Sequence, residues 1–308
     1  MSFNKNEHLH KVIESHKMKH VDDLMDKYKA KRDQIKEALD EKYCNEKVSS
    51  AINSGSYAKH TAINTKFDID ICQPFRFDSF NSLEEMADSV YDFFLNEYDD
   101  DDLLYFNVKK QRVSTGLTFY MDGQEIKMDV VPGRELSEGD YFQTSKLNLY
   151  VRAKQNTPAT YTQTNIKKHI EYISGKEQER NIIRLLKIWK NNKNKDIKSF
   201  FIELITIRAF ENANQIPTSL WEQLKMVLEF IRDNIETIRL VDPANSNNVV
   251  SDTLSDIEKE NLSNEMKNML ERIEENDELL RFYFTENESF AGEQKKTGAS
   301  ILSTKSFS

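Results

Sequence analysis

The chain has 308 residues, 38% of them hydrophobic and 31% charged, with a formal net charge of −9. That apolar content suffices for one large core or two smaller ones, while the acidic balance argues against a grip on long nucleic acid through its phosphates. No apolar run reaches the length of a membrane span, no secretory leader is visible, and Cys44 and Cys72 stand isolated, which reads as a cytoplasmic protein with no membrane attachment and no disulfide framework.

Four histidines, His8, His10, His16 and His20, lie near the start, and His16 and His20 have the i,i+4 spacing of one helix face. With no other ligand type nearby they read as a solvated helix face rather than a metal site. Leu24, Tyr28, Ile35, Leu39 and Tyr43 then recur at helical spacing and predict one long amphipathic helix that backs a sheet. A strand-like run over 48–53 ends at Ser54-Gly55-Ser56. Glycine there permits close backbone approach to a phosphate, and Tyr57-Ala58-Lys59 starts a short helix whose N-terminus favours the anion.

Asp68-Ile69-Asp70-Ile71 follows. Strand residues alternate faces, so the two carboxylates project to one side while the isoleucines enter a core. A helix is expected over 82–98, with Leu83, Met86, Val90, Phe93 and Phe94 turned inward, and the acidic run at 99–102 reads as a solvated loop. Val113, Thr115, Leu117, Phe119 and Met121 alternate up to Asp122-Gly123, a strong two-residue hairpin signal, and Ile126, Met128 and Val130 resume the pattern. Lys127, Asp129 and Val131 share the other face. If the strands are neighbours, Asp129 points at the edge that carries Asp68 and Asp70. Three such carboxylates repel one another without cations, and a hard-oxygen set selects two Mg²⁺ or Mn²⁺ ions, typically roughly 3.5–4 Å apart.

After Pro158 the periodicity turns helical over 166–173, 178–190, 200–212, 219–236 and 256–284. The fold expected is therefore α+β: a sheet lobe with a long N-terminal helix over 1–157, a helical lobe over 158–288 with the active site in the cleft between, and a mobile tail rich in Ser, Lys and Gly over 289–308.

These motifs, in this order, resemble a known family. The string from Gly55 to Ile71 (GSYAKHTAINTKFDIDI) with Lys127-Met128-Asp129-Val130-Val131-Pro132 looks like the active-site signature of polymerase β-type nucleotidyltransferases, and most of all of the cGAS/DncV-like bacterial enzymes (CD-NTases) and their oligoadenylate synthetase relatives. Downstream, Arg184-Leu185-Leu186-Lys187-Ile188-Trp189-Lys190, the helix start around Ser199, and Asp242-Pro243-Ala244-Asn245 with Asn248-Val249 continue the resemblance, which spans residues 45 to 250.

The resemblance implies a polymerase β-like fold and catalytic, metal-binding roles for Asp68, Asp70 and Asp129. It also implies that Gly55, Ser56, Lys187 and Ser199 hold the donor triphosphate, with two Mg²⁺ or Mn²⁺ ions as cofactors. The activity implied is synthesis of a cyclic oligonucleotide, foremost a cyclic dinucleotide, from ATP and/or GTP, as a second messenger in anti-phage signalling. Tyr57, Tyr141 and Tyr161 offer stacking faces for purines. Animal cGAS binds long DNA through basic surface and a zinc-bearing insertion, and this acidic chain has neither. No long nucleic-acid activator is expected, and a regulatory partner protein encoded nearby is.

Each element also has a plainer reading. A lone D-x-D is often an exposed strand edge, Lys187 can be a solvated lysine, and Ser199 can be the N-cap of a helix starting at Phe200. The functional rivals are a template-independent nucleotidyltransferase acting on RNA or a protein, and a scaffold that has lost activity. An RNA enzyme needs more basic surface than this, and a scaffold has no need of all three carboxylates.

Overall fold

A computed structural model describes residues 3–98, 106–121, 124–155 and 157–291. The expected acidic loop at 99–102, the turn at 122–123 and the tail beyond 291 lie outside the described residues. The chain begins with α1 (Lys5–Ser15), α2 (Asp22–Lys42), β1 (Ile52–Ser54), α3 (Gly55–Ala58), β2 (Ile69–Phe75) and α4 (Leu83–Asn96). It continues through β3 (Phe106–Lys110), β4 (Thr115–Met121), β5 (Gln124–Glu135), α5 (Tyr141–Thr144), β6 (Leu147–Val151) and β7 (Thr160–Thr164). The last part holds α6 (Ile166–Ile173), α7 (Glu177–Asn192), α8 (Ser199–Asn212), α9 (Leu220–Asn234), β8 (Val241–Asp242), β9 (Asn245–Val249), α10 (Asp256–Glu275) and α11 (Leu280–Tyr283).

Strands β1 to β7 form one sheet, ordered β1-β2-β5-β4-β3, with β6 added at the far end of β5 and β7 beyond it. The pair β2 and β5 is parallel and in register at Asp70 and Asp129, while β4 and β5 are antiparallel. Alternation sorts the side chains. Ile69, Ile71, Leu117, Phe119, Met128 and Val130 pack with Met25, Tyr28, Ile35 and Leu39 of α2 and with Met86, Val90, Phe93 and Phe94 of α4. Asp70, Cys72 and Asp129 belong to the opposite face, where Cys72 packs with Leu147 and Leu149.

The helical core centres on Ile182, Leu185, Leu186, Phe201, Leu224 and Met266. Leu9, Val12 and Ile13 of α1 join it, and α1 touches α7 and α9. Each fully buried side chain of this kind is worth about 1.5–3 kcal/mol, so α1 sits with the helices although the 1–157 boundary grouped it with the sheet.

His10 is exposed as expected, but the other three histidines depart from the solvated face. His8 and His16 are buried, with His8 Nε2 2.8 Å from Phe284 O and His16 Nδ1 2.8 Å from Val12 O, and His20 Nε2 lies 2.8 Å from Glu14 O. They serve chain ends and turns, where ring nitrogens pair with carbonyls that helix termini leave over.

Two further expectations change. The helix expected over 256–284 stops at Glu275, because Asn276 adopts extended φ −149° and ψ 106° and its side chain accepts from Glu278 N at 3.0 Å. Strand β7 lies after Pro158, so the sheet runs on into the segment expected to be helical. Among the described residues no helix is long and apolar enough to cross a membrane.

The segment between α3 and β2 is stapled to both chain ends. Ile63 is buried in the helical core, Asn64 Nδ2 donates to Ser15 O (3.0 Å) and Lys17 O (3.1 Å), and Asn64 Oδ1 accepts from Asn287 Nδ2 (3.0 Å). This fixes the residues that lead into Asp68.

Candidate active site

Ser54 ends β1 opposite Asp70, and the chain then turns at Gly55 with φ +67°. A Cβ on Gly55 would lie 1.5 Å from Asp70 Oδ2, so this position needs glycine for its dihedral and for its space alike. The close approach that the glycine permits is to Asp70, and the Ser56 N–H donates to that carboxylate. The Gly-Ser turn, expected as a phosphate cradle, thus also orients an acid. The helix that follows starts at Gly55 rather than Tyr57.

Asp70 and Asp129 stand side by side in register, and Asp68 is near enough to act on both. Adjacent strands run roughly 4.8 Å apart, which sets the scale for the in-register pair Asp70 and Asp129. Burial raises the Asp68 carboxyl above its ordinary value, against the pull of Lys127 and Lys66. Asp70 rises to about 6, through burial and then Asp68, with Lys59, Lys187 and the Ser56 N–H opposing. Asp129 rises to about 7, through burial and then repulsion from Asp70 and Asp68. Among the described residues no group of three or more His, Cys, Asp or Glu side chains is placed so as to hold a metal ion as it stands. Like charges without a counter-ion do not converge, yet the donor set, all carboxylate oxygen and under-neutralised, fits hard divalent cations.

The cleft is a space of about 310 Å³ lined by Gly55, Ser56, Asp68 and Asp70 on one side and by Lys187, Lys190, Ser199 and Glu203 on the other. Lys187 is not a solvated lysine. It is 7% exposed, burial lowers its ammonium to about 8, and it donates to Thr61 O at 3.0 Å. Ser199 is not a side-chain N-cap, since the helix begins at Ser199 itself with Lys198 before it, and its hydroxyl accepts from Lys190 Nζ at 3.4 Å. Tyr57 packs against the sheet core and Tyr141 against the Cys72 cluster, so of the three candidate stacking rings Tyr161, 63% exposed, is the one left facing solvent.

The sequence reading missed several residues. Lys59 Nζ lies 2.5 Å from Glu203 Oε2, and Thr61 Oγ1 donates to Glu203 Oε1 at 3.2 Å, an ion pair that ties α8 to the segment around α3. The signal was available: Glu203 is a lone carboxylate inside Phe200-Phe201-Ile202-Glu203-Leu204-Ile205, and a buried acid is a paired acid. Lys66 and Lys190 both line the cleft, and among the described residues neither is in an ion pair. Gln111 donates to Asp129 Oδ1 at 2.8 Å, which nothing in the local sequence announces. Asp242 of the late motif, by contrast, is structural. It accepts from Ala244 N (2.8 Å) and Asn248 Nδ2 (3.1 Å) and lies 2.7 Å from His169 Nε2.

The model of the Second Messenger Oligonucleotide or Dinucleotide Synthetase (SMODS) domain matches residues 5–177. Among solved structures, CdnC of E. coli MS115-1 in its complex with HORMA-deltaN aligns with a TM-score of 0.64 at 19% identity, over 87% of this chain and 92% of that one. The Elizabethkingia meningoseptica CdnE cyclic dinucleotide synthase with GTP and Apcpp gives 0.55 at 15% identity, over 79% and 91%. The Vibrio cholerae DncV cyclic AMP-GMP synthase gives 0.57 at 11%, over 76% and 68%. At these identities the likeness is one of fold. A search of curated proteins gives no match.

Proposed function

The chain belongs to the second messenger oligonucleotide or dinucleotide synthetase family, a nucleotidyltransferase family, and from that premise we propose that it joins ATP and/or GTP into a cyclic oligonucleotide, foremost a cyclic dinucleotide, for anti-phage signalling in the cytoplasm. The observation that carries this reading is a cleft with Asp68 and Asp70 on one wall and Lys187 and Lys190 on the other, with the under-neutralised Asp129 in register beside Asp70. Anionic oxygens on one side suit divalent cations, and ammonium groups on the other suit a triphosphate.

Two Mg²⁺ or Mn²⁺ ions, when bound, would neutralise the three carboxylates and supply Lewis acidity to the phosphate oxygens and the acceptor hydroxyl. The rest falls to the chain. Gly55 and Ser56 hold the donor phosphates while keeping Asp70 in place, and Ser199, Lys190 and Lys187 face the phosphates from the helical wall. Asp129 takes the proton of the acceptor ribose hydroxyl as that oxygen bonds the donor α-phosphorus and the α–β phosphoanhydride bond breaks to release pyrophosphate. Positioning of this kind supplies much of the acceleration in phosphoryl transfer. Repeating the transfer on the linear intermediate after it turns round in the cleft closes the ring.

In this reading the catalytic lobe comprises the sheet β1 to β7 with α2 to α5, and the helical lobe comprises the chain from α6 to 288 together with α1. The E. coli relative forms a complex with HORMA-deltaN, and we propose a regulatory protein partner for this chain as well. The test is incubation with each labelled NTP, singly and mixed, with Mg²⁺ or Mn²⁺, then phosphatase and mass spectrometry. A phosphatase-resistant cyclic product is expected. Labelled RNA or protein as the sole product overturns the cyclase reading in favour of a macromolecular transferase.

A further inference from the structure

A second group of residues, outside the recognised motifs, is built around Asp129. Gln111 follows β3, and its N–H donates to Ser114 O at 2.9 Å to close a tight turn into β4. Its side chain points back along the sheet. Nε2 donates to Asp129 Oδ1 at 2.8 Å, and Ser114 Oγ donates to Gln111 Oε1 at 2.9 Å. A hydroxyl donating to Oε1 sets which end of the amide faces the acid, since only the NH₂ can donate to a carboxylate. Among the described residues, the second oxygen of Asp129 accepts no hydrogen bond.

The path of the side chain is also provided for. Gly116 lies opposite Asp129 in the β4–β5 register, and a Cβ there would come 2.4 Å from Gln111 Nε2 and 3.4 Å from Asp129 Oδ1. Bare backbone at this position is what lets Gln111 reach across. A neutral amide is also the suitable donor. It orients a carboxylate without cancelling its charge, whereas a lysine or arginine would neutralise it and compete with a cation.

We propose that Gln111 is a positioning residue for Asp129, oriented by Ser114 and admitted by Gly116, which occupies one carboxylate oxygen and turns the other toward a divalent cation. This rests on the reading of Asp129 as a cation-binding carboxylate.

The test uses Gln111→Met, which keeps the length and neutrality of the side chain and removes the donor, together with Gly116→Ala and the double variant. Mn²⁺ binding is followed by electron paramagnetic resonance with no substrate present, and kcat and KM for NTP are measured at saturating metal. Outer-shell partners of metal ligands typically contribute about 10–100-fold in metal affinity or activity. Gln111→Met is expected to weaken Mn²⁺ binding and lower kcat within that range while KM holds. Gly116→Ala should reproduce the defect, and the double variant should be no worse than either single one, since both remove the same hydrogen bond. Wild-type Mn²⁺ affinity in Gln111→Met overturns the proposal, as does full additivity in the double variant. Asp129→Asn separates the two levels: if it leaves Mn²⁺ binding intact, the metal reading of Asp129 fails, and if it abolishes binding while Gln111→Met keeps the wild-type affinity, only the positioning role fails.

Discussion

The two walls of the cleft carry opposite charges and treat them in opposite ways. On the helical wall each buried charge has a partner in the fold: Glu203 has Lys59 and Thr61, and Lys187 has the Thr61 carbonyl. On the sheet wall Asp70 and Asp129 have one backbone N–H and one neutral amide between them, and beyond burial Asp68 raises Asp70 while Asp70 and Asp68 raise Asp129. A compensated charge holds the lobes together whatever is bound. An uncompensated one waits for a ligand, and folding stability is given up to keep it waiting. Removing a charge should therefore have opposite effects on stability at the two walls.

The largest expected effect is on turnover. Asp68→Ala with Asp70→Ala should cut product formation at least about 1,000-fold, on the order of 4 kcal/mol of transition-state stabilisation, without lowering the melting temperature. Circular dichroism and the mass-spectrometric assay check the two halves, and retained activity would break the assignment of the sheet wall. On the other wall Glu203→Ala strands the Lys59 ammonium at 13% exposure and should destabilise by about 3 kcal/mol in urea unfolding. A neutral result there would erase the contrast.

Next comes Gly55→Ala, which forces a Cβ onto Asp70 at a positive φ and should cost about 2 kcal/mol of stability as well as most of the activity. The pH dependence sharpens the comparison further. Asp70 and Asp129 are raised to about 6 and about 7 in the folded state, against the ordinary 3.8 of an aspartate, so between these limits the folded state binds more protons than the unfolded one. Their contribution to stability is fully present below about 4, is lost as pH rises through about 7, and stays lost above it. In metal-free buffer, Asp129→Asn should flatten that slope and stabilise the protein at pH 8 by on the order of 2 kcal/mol, which thermal melts across pH would register. Added Mn²⁺ should stabilise the wild type and have less effect on the variant. The smallest effect is expected for Asn64→Ala, about 1 kcal/mol together with a few-fold rise in KM, because the staple holds the segment leading to Asp68 without touching substrate.

Much of the sheet wall was legible because strands repeat every two residues. Once Ile69 and Ile71 are assigned inward, Asp70 has no other side to take, and the same holds for Asp129 beside Met128 and Val130, whereas Asp68 precedes β2 and alternation does not place it. The helices of the second half were legible for the matching reason, apolar residues at three- and four-residue spacing, although α10 ended early where Asn276 left the helix. The histidines were misread because His8 and His16 pair with carbonyls and pack among residues far along the chain. Lys187 and Ser199 were placed in the cleft by resemblance, and their partners Thr61 and Lys190 came only with the structure.

By itself the sequence determined the local faces: which residues of each strand or helix point inward, and where glycine breaks a strand. Tertiary structure decided the pairings across long separations. These are the parallel neighbourhood of β2 and β5, the capture of α1 by the helical core, the Lys59–Glu203 pair, and the passage of Gln111 over Gly116 to Asp129. The physical reason is that periodic burial is written into every turn of chain, whereas a contact between distant residues depends on the path of everything between them.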